Sequence, residues 1–181
     1  MNPSGTDVYE SRLVERFRQG DAQALNALFE MHVDRVYSYA RHIVGCREDA
    51  EEVASEAFMK AFRHAVDFRG DSPFRGWLFG ITRNLCRDRL RQPRLLMLPD
   101  LDSDSPVQDE SERVAVRADV RRAMGELPEE YREILALCDV EEWDAREAAS
   151  LTGRSLAATK SLLYRARRAL RDRLAEQWKE N

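Results

Sequence analysis

The chain contains 181 residues, which is enough for one medium-sized domain or two small ones. Its 29 basic and 33 acidic side chains give a formal net charge of −4, which as an average argues against a nucleic-acid partner. Apolar residues make up 43%, so a packed core is expected, yet no apolar run approaches the roughly 18 residues of a membrane span. The first residues also lack the hydrophobic centre of a signal peptide, and we expect a cytoplasmic protein without membrane insertion.

Apolar residues recur at three- and four-residue spacings along most of the chain, and Gly and Pro are scarce, which predicts an all-α protein. The first half predicts four helices, at residues 7–20, 21–44, 48–65 and 74–91. Asp21 is expected to cap the second helix, and Gly45 is expected to end it. On the third helix six apolar residues are expected to face the core: Val53, Ala54, Ala57, Phe58, Ala61 and Phe62.

The composition changes after Pro93. Between Asp100 and Glu112 there are six acidic residues and no basic one, together with Pro106 and three serines. Such a segment cannot bury much apolar surface, which is typical of a linker. We therefore expect a flexible acidic linker at residues 94–113, between two small helical domains at residues 7–93 and 114–179.

Helical patterning resumes near Val114 and breaks at Leu127-Pro128, and it then predicts helices at residues 129–138, 144–152 and 155–179. Asp144 and Glu147 have the spacing of a capping box, which starts a helix. Gly153 permits a left-handed turn, and Ser155 can cap the helix that follows. This order of capped helix, glycine turn and new helix is typical of a helix-turn-helix.

The last predicted helix has one apolar stripe, formed by Thr159, Leu163, Ala166, Leu170 and Leu174. Its outward face then carries Lys160, Ser161, Tyr164, Arg165 and Arg168. Between Arg154 and Arg173 there are seven basic residues and one acid, Asp172. A helix that enters the DNA major groove with its N-terminal part would present such side chains to bases and phosphates. A charged, solvated helix face is the alternative interpretation.

An acidic stripe lies on the third predicted helix. Asp49, Glu52 and Glu56 follow the i, i+3, i+7 spacing of one helix face, on the side opposite Phe58. This stripe suits a basic protein partner, although composition alone favours a simple role in solubility.

The segment that follows is basic and aromatic. Between Arg63 and Arg94 there are eight arginines and three acids, interleaved with Phe68, Phe74, Trp77 and Phe79. Arginines neutralise phosphates, and exposed rings can stack on bases that have left the duplex. Phe74 and Trp77 also share a helical stripe with Leu78, so the spacing leaves open whether a given ring lies in the core or touches a base. The polar loop at residues 70–74 could hold one flipped base.

The three cysteines, Cys46, Cys86 and Cys138, are widely spaced, which predicts reduced thiols rather than a disulfide framework or a zinc knuckle. His42 and Cys46 could share a metal ion, but no second pair of ligands stands nearby in the sequence. No glycine-rich phosphate loop is present, and the histidines fall in helical segments. We therefore expect no metal, no cofactor and no catalytic residue, and a protein that is not an enzyme.

Taken in order, these segments resemble the extracytoplasmic-function (ECF, group IV) sigma factors of bacterial RNA polymerase. Residues 49–58 (DAEEVASEAF) are similar to the region 2 helix that docks on the coiled coil of the polymerase clamp. Residues 68–90 (FRGDSPFRGWLFGITRNLCRDRL) are similar to the segment that opens and reads the minus-ten element. Residues 127–135 (LPEEYREIL), 147–149 (EAA) and 160–167 (KSLLYRAR) resemble region 4, which reads the minus-thirty-five element.

The resemblance implies a bacterial alternative sigma factor that binds core RNA polymerase, recognises promoter DNA, opens the strands and initiates transcription. It implies contacts of Asp49, Glu52 and Glu56 with the polymerase clamp. It places eight residues near the opened minus-ten element: Asp71, Ser72, Phe74, Trp77, Arg83, Asn84, Arg87 and Arg91. It places Lys160, Ser161, Tyr164, Arg165 and Arg168 at the minus-thirty-five element. An anti-sigma factor is expected as a further partner.

The sequence departs from the family pattern at two places, and it leaves two alternative functions open. The chain has Ala157-Ala158-Thr159 where the family has Gly-Thr-Val, which implies an unusual promoter preference. Trp143 stands where a smaller apolar residue is commoner, and is either a core residue or a partner contact. The main alternative function is a helix-turn-helix regulator that binds duplex DNA without polymerase. The second alternative is a helical adaptor whose basic helices meet an acidic protein.

Overall fold

The computed structural model describes residues 5–70, 72–92 and 111–180, and within these ranges the chain is helical with no strand. The bounds of the α-helices are Gly5–Arg18 (α1), Ala22–Val44 (α2), Arg47–Arg63 (α3), Phe74–Arg91 (α4), Ser111–Gly125 (α5), Glu129–Leu135 (α6), Ala145–Thr152 (α7) and Leu156–Glu180 (α8). The expectation of an all-α protein is confirmed. The predicted site residue Asp71 and residues 94–110 of the predicted linker lie outside the described residues.

The chain forms two compact units. The first consists of the residues up to Ala40 together with Glu48–Gln92, and the second consists of Arg41–Arg47 together with the residues that follow Gln92. The first unit therefore contains α1, α3, α4 and most of α2, and the second contains α5 to α8. A division into two small helical parts agrees with the sequence interpretation.

The junction between α1 and α2 has the predicted cap. Asp21 Oδ1 accepts hydrogen bonds from the backbone N–H groups of Gln23 at 2.8 Å and Ala24 at 3.3 Å. At the other end of α2, Gly45 adopts a left-handed backbone with φ 85°, and its N–H donates to the carbonyl of Arg41 at 3.1 Å. Both signals were local, and both are confirmed.

Five of the six residues predicted to be buried on α3 are buried: Val53, Ala54, Ala57, Phe58 and Ala61. The prediction for Phe62 is wrong, because 42% of this residue is exposed. Helix α3 ends at Arg63, and the chain then makes a short 3₁₀ turn at Ala65–Asp67. Ala65 in this turn and Phe68 directly after it are both buried.

Helix α8 packs against α5, α6 and α7 in the second unit. From α8, Thr159, Leu162 and Ala166 are buried, whereas the predicted stripe residues Leu163, Leu170 and Leu174 are only half-buried. Trp143 is 6% exposed and is therefore a core residue, which decides between its two interpretations.

The connection between α6 and α7 is not the plain α-helix predicted at residues 129–138. Helix α6 ends at Leu135, and Ala136–Val140 form a π-helical turn in which the Glu141 N–H donates to the Ala136 carbonyl at 2.9 Å. Glu142 follows with φ 58°, a left-handed conformation that disfavours any residue with a Cβ atom. Spacing alone does not distinguish a π-turn from an α-turn.

Candidate nucleic-acid and protein interfaces

The helix-turn-helix is built by short-range hydrogen bonds. Asp144 Oδ1 accepts from the backbone N–H groups of Arg146 at 2.7 Å and Glu147 at 2.8 Å, while Glu147 Oε2 accepts from the Asp144 N–H at 2.9 Å. These backbone N–H donors hold the pKa of Asp144 below its ordinary value. Gly153 ends α7 with φ 70°, and Ser155 Oγ accepts from the Ala158 N–H at 3.2 Å. The predicted capping box, turn glycine and second cap are confirmed.

The outward face of α8 carries the five residues predicted from the sequence: Lys160, Ser161, Tyr164, Arg165 and Arg168 are all exposed. Tyr164 is 69% exposed. Arg168 Nε lies 3.9 Å from Asp172 Oδ2 on the same helix. Among the described groups, Lys160 and Arg165 have no carboxylate within 4.0 Å. Both side chains are exposed, and no carboxylate of the described ranges balances their charge.

Other basic residues of this region have partners inside the second unit. Arg154 Nη2 lies 3.1 Å from Glu130 Oε2 on α6, and Arg173 Nε lies 3.7 Å from Glu126 Oε2. Arg167 Nε lies 3.0 Å from Asp139 Oδ2 in the π-helical turn. The count of basic residues in the sequence therefore overstates the positive charge that α8 can offer to a ligand.

The acidic stripe lies on α3 as predicted, but it is not wholly free. Arg89 on α4 pairs with Glu52, and its Nη1 lies 3.4 Å from Asp49 Oδ1. Glu56 Oε1 lies 3.1 Å from Lys60 Nζ one helical turn away. Burial acts to lower the pKa of Arg89, but the hydrogen bond and charge of Glu52 and the charge of Asp49 outweigh it and raise that pKa.

Sequence reasoning missed Arg89, which it treated only as one of eight arginines in a basic segment. This arginine is 37 residues from Glu52 in the chain, so no local spacing rule connects the two. The packing of α4 beside α3 brings them together.

Phe74, predicted near the minus-ten strand, is buried at the start of α4. Its ring centroid lies 5.4 Å from that of Phe17, 5.9 Å from that of Phe68 and 5.9 Å from that of Trp77. Offset and edge-to-face contacts of this kind are favourable and fix ring orientation. Phe74 thus supports its neighbours from the core, while Trp77 is half-buried at the edge of this aromatic cluster.

The polar residues predicted at the minus-ten element differ in exposure. Ser72, Asn84 and Arg91 are exposed, and Arg83 and Arg87 are half-buried. Arg91 Nη1 lies 3.9 Å from Asp88 Oδ1. Asp71 lies outside the described residues.

The described ranges hold no group of three or more His, Cys, Asp or Glu side chains arranged to bind a metal ion. Cys86 is buried, and Cys46 and Cys138 are half-buried thiols. Burial raises the pKa of Cys138 to about 11, with a smaller contribution from the Asp139 carboxylate. None of the helices in the described part of the chain combines the length and the apolar character needed to cross a bilayer.

Two family matches cover the two helical units. Residues 28–95 match sigma-70 region 2, and residues 117–170 match sigma-70 region 4. The first match contains α3, α4 and most of α2, and the second contains the helix-turn-helix.

Curated relatives and a solved structure agree with these matches. The chain is 32% identical to ECF RNA polymerase sigma factor SigE of Mycolicibacterium smegmatis, over 98% of this chain and 70% of that protein. It is 30% identical to RNA polymerase sigma-H factor of Pseudomonas aeruginosa, over 91% of this chain and 93% of that protein. The structure of CnrH in complex with the cytosolic domain of CnrY matches with a TM-score of 0.73 and 27% identity, covering 91% of this chain and 96% of CnrH.

The fold, the helix-turn-helix and these matches define a sigma-70-type initiation factor. The chain belongs to the ECF sigma factors of the sigma-70 family. It is an alternative sigma factor, which binds core RNA polymerase and promoter DNA and directs transcription initiation. Members of this family are initiation factors rather than enzymes, and the interpretation as a regulator that acts without polymerase is not favoured.

Proposed function

We propose that the first unit of this sigma factor binds core polymerase and the minus-ten element, and that the second unit binds the minus-thirty-five element. The acidic face of α3 binds the clamp coiled coil of core polymerase, the segment from Asp71 to Arg91 reads and holds the opened minus-ten element, and the N-terminal half of α8 reads the minus-thirty-five element. The acidic face then binds a protein and the basic faces bind DNA, which is compatible with a net charge of only −4.

One observation carries the proposal for α8. Lys160 and Arg165 stand on the outward face of a helix that follows a capped helix and a left-handed glycine turn, and neither has a carboxylate partner among the described groups. A cation without an internal partner can neutralise a phosphate or donate to a base edge without first breaking an ion pair. Ser161, Tyr164 and Arg168 complete this face.

The proposal for the minus-ten element assigns different tasks to core and surface residues. Trp77 is half-buried, and we assign its exposed part to stacking on a base, whereas the buried ring of Phe74 supports it from the core. The polar contacts are assigned to Asp71, Ser72, Arg83 and Asn84, and the phosphate contacts to Arg87 and Arg91.

The three carboxylates proposed at the polymerase interface differ in how exposed they are, and this difference decides which of them can contact the partner directly. Asp49 and Glu52 both pair with Arg89, but the side chain of Asp49 is only 19% exposed, whereas those of Glu52 and Glu56 are 64% and 46% exposed. We assign the direct contacts to Glu52 and Glu56, and we assign to Asp49 the task of holding Arg89 behind them. A basic surface on the partner would complement these exposed acids.

An anti-sigma protein is proposed as a third partner, and the cytoplasm as the location. The support is that CnrH, to which the chain is similar over 91% of its length, was solved in complex with the cytosolic domain of another protein, CnrY. Sigma factors act with RNA polymerase, which supports the location.

The test is run-off transcription from fragmented genomic DNA of the source organism, with core polymerase alone and with this chain added. New start sites that share two upstream motifs are expected, and they would define the promoter. Absence of new starts while the chain still binds duplex DNA would favour a regulator that acts alone. Loss of both activities would favour a protein adaptor.

Once a promoter is mapped, single-residue variants test which side chains contact DNA and which contact polymerase. Lys160→Ala and Arg165→Ala are each expected to lower initiation about tenfold, since one good base or phosphate contact is worth roughly 1 to 3 kcal/mol. Initiation unchanged by both would refute the assignment of α8. Charge reversal at Glu56, as Glu56→Lys, is expected to weaken binding of core polymerase, with Asp34→Lys on the exposed side of α2 as the control.

A further inference from the structure

The basic residues around the helix-turn-helix fall into two groups that the sequence does not distinguish. Lys160 and Arg165 face solvent without a carboxylate partner in the described part of the chain. Arg154 and Arg167 each reach a carboxylate that belongs to α6 or to the turn after it. Residues of the second group have their charge balanced within the protein before any ligand arrives.

Both oxygens of the Asp139 carboxylate accept hydrogen bonds from Arg167. Arg167 Nε donates to Asp139 Oδ2 at 3.0 Å, and Nη2 donates to Asp139 Oδ1 at 2.5 Å. This side-by-side geometry is the one in which a guanidinium and a carboxylate bind most specifically. The two residues are 28 positions apart, so the pair joins the middle of α8 to the π-helical turn at Ala136–Val140.

Arg154 makes the equivalent connection at the turn itself. It follows Gly153, and its Nη2 donates to Glu130 Oε2 at 3.1 Å. Its Nη1 lies 3.7 Å from Glu133 Oε2, whose side chain is only 4% exposed. Arg154 thus links the turn to α6 through a hydrogen bond to Glu130 and an ion pair with the buried Glu133.

We infer that Arg154 and Arg167 are positioning residues, which hold α8 and the turn before it against α6 and the π-helical turn, and do not neutralise promoter phosphates. The inference rests on the proposed function of α8. A phosphate that approached Arg167 would also approach the Asp139 carboxylate, and the pair as a whole has no net charge to offer. The contacts with DNA are then left to Lys160, Arg165 and the other residues of the outward face.

The experiment measures how the affinity of the complete holoenzyme for a promoter fragment depends on salt. The probe is a duplex fragment mapped by the run-off transcription described above. Each phosphate neutralised by the protein contributes about 0.9 to the slope of log affinity against log salt concentration. Because the slope counts contacts with phosphate, it separates a contacting residue from one that only positions the helix.

Two variants are compared, each of which removes one arginine of α8. Arg165→Gln is expected to lower the slope by about one unit. The paired change Arg167→Gln with Asp139→Asn removes the ion pair without altering the net charge, and is expected to leave the slope unchanged while it weakens binding about fivefold at every salt concentration. A slope that falls as much in the paired variant as in Arg165→Gln would overturn the inference.

A charge exchange gives a second reading that does not depend on the slope. Arg167→Asp combined with Asp139→Arg rebuilds the pair in reverse, so promoter affinity is expected to recover relative to Arg167→Asp alone. If Arg167 contacted a phosphate, the exchanged protein would place an acid there and would bind no better than the single variant, which would contradict the inference. Thermal unfolding monitored by circular dichroism confirms that each variant is folded.

The same data distinguish failure of the inference from failure of the proposed function. If Arg165→Gln and Lys160→Gln both left the slope unchanged, the outward face of α8 would not contact DNA, and the proposed function of this helix would fall together with the inference. If Arg165→Gln lowered the slope and the paired change at Arg167 and Asp139 lowered it as much, the proposed function would stand and the inference alone would be wrong.

Discussion

Arg89 Nη1 on α4 lies 3.4 Å from Asp49 Oδ1 on α3, so one guanidinium joins the helix proposed to read the minus-ten element to the helix proposed to bind polymerase. The same guanidinium pairs with Glu52. Two of the three acids predicted to bind polymerase thus have an internal partner. Arg89 therefore fixes the positions of two carboxylates on the acidic face of α3, those of Asp49 and Glu52.

Replacement of Arg89 by Ala is expected to lower the free energy of unfolding by about 1 to 3 kcal/mol, because it leaves the partly buried Asp49 carboxylate without this cation. Urea unfolding of the full chain measures the change. The control is Arg91→Ala, since the Arg91 side chain is 78% exposed and its Nη1 lies 3.9 Å from Asp88 Oδ1. A loss for Arg89→Ala no larger than that of the control would show that the pair does not stabilise the unit.

Replacement of Phe74 by Ala is expected to lower the free energy of unfolding by about 3 to 5 kcal/mol, because it removes a buried ring from the aromatic cluster around Phe17, Phe68 and Trp77. Phe62→Ala is the matched control, since Phe62 is 42% exposed, and it should cost far less. Denaturant unfolding followed by tryptophan fluorescence reports both. Equal losses would contradict the placement of Phe74 in the core.

The capping box gives a prediction about pH. Hydrogen bonds from the Glu147 and Arg146 N–H groups lower the pKa of Asp144 in the folded state. The charged carboxylate therefore stabilises the fold above the unfolded pKa of about 3.9, and this contribution is lost as the pH falls through the lowered folded pKa.

Asp144→Ala is accordingly expected to unfold at lower urea concentration than the unaltered chain at pH 7, and the difference is expected to shrink below about pH 4. Asp144→Asn retains an oxygen acceptor without the charge, so at neutral pH its stability should lie between that of Asp144→Ala and that of the unaltered chain. Urea titrations at a series of pH values measure both. A difference for Asp144→Ala that did not change with pH would argue against a charged cap.

Glu142→Gly is expected to raise the free energy of unfolding by about 0.5 to 1 kcal/mol, because φ 58° strains a residue with a Cβ atom and costs glycine little. Glu142→Ala keeps the Cβ atom and should bring no gain, which separates relief of backbone strain from loss of the charge. Thermal unfolding of the three proteins measures the effect. A gain of the same size in both variants would assign it to the side chain.

Much of the local architecture could be predicted from the sequence. The capping box at Asp144 and Glu147, the turn at Gly153 and the cap at Asp21 each depend on groups within three or four residues of one another. Hydrogen bonds of that range form whatever the rest of the chain does, so their residue types and spacing suffice. The same holds for the all-α class, because the apolar period is repeated along every helix.

Other features could not be predicted because they depend on which helices meet. Phe62 continues the apolar pattern of α3 but lies at the surface, while Ala65 and Phe68 beyond the end of the helix are buried. The sequence left two interpretations of Trp143, and its burial within the second unit decides between them. Phe74 and Trp77 share a stripe in the sequence, yet one is buried and the other is half-buried.

The sequence by itself determined the helices, their caps, the helix-turn-helix and the resemblance that identifies a sigma factor, because these follow from short-range hydrogen bonds and periodic burial. The tertiary structure decided which charges are available to partners. Arg154, Arg167 and Arg89 find their acids 24, 28 and 37 residues away, while Lys160 and Arg165 find none in the described part of the chain. The charge of a residue is a property of its type, but whether that charge is already balanced depends on what packing places beside it.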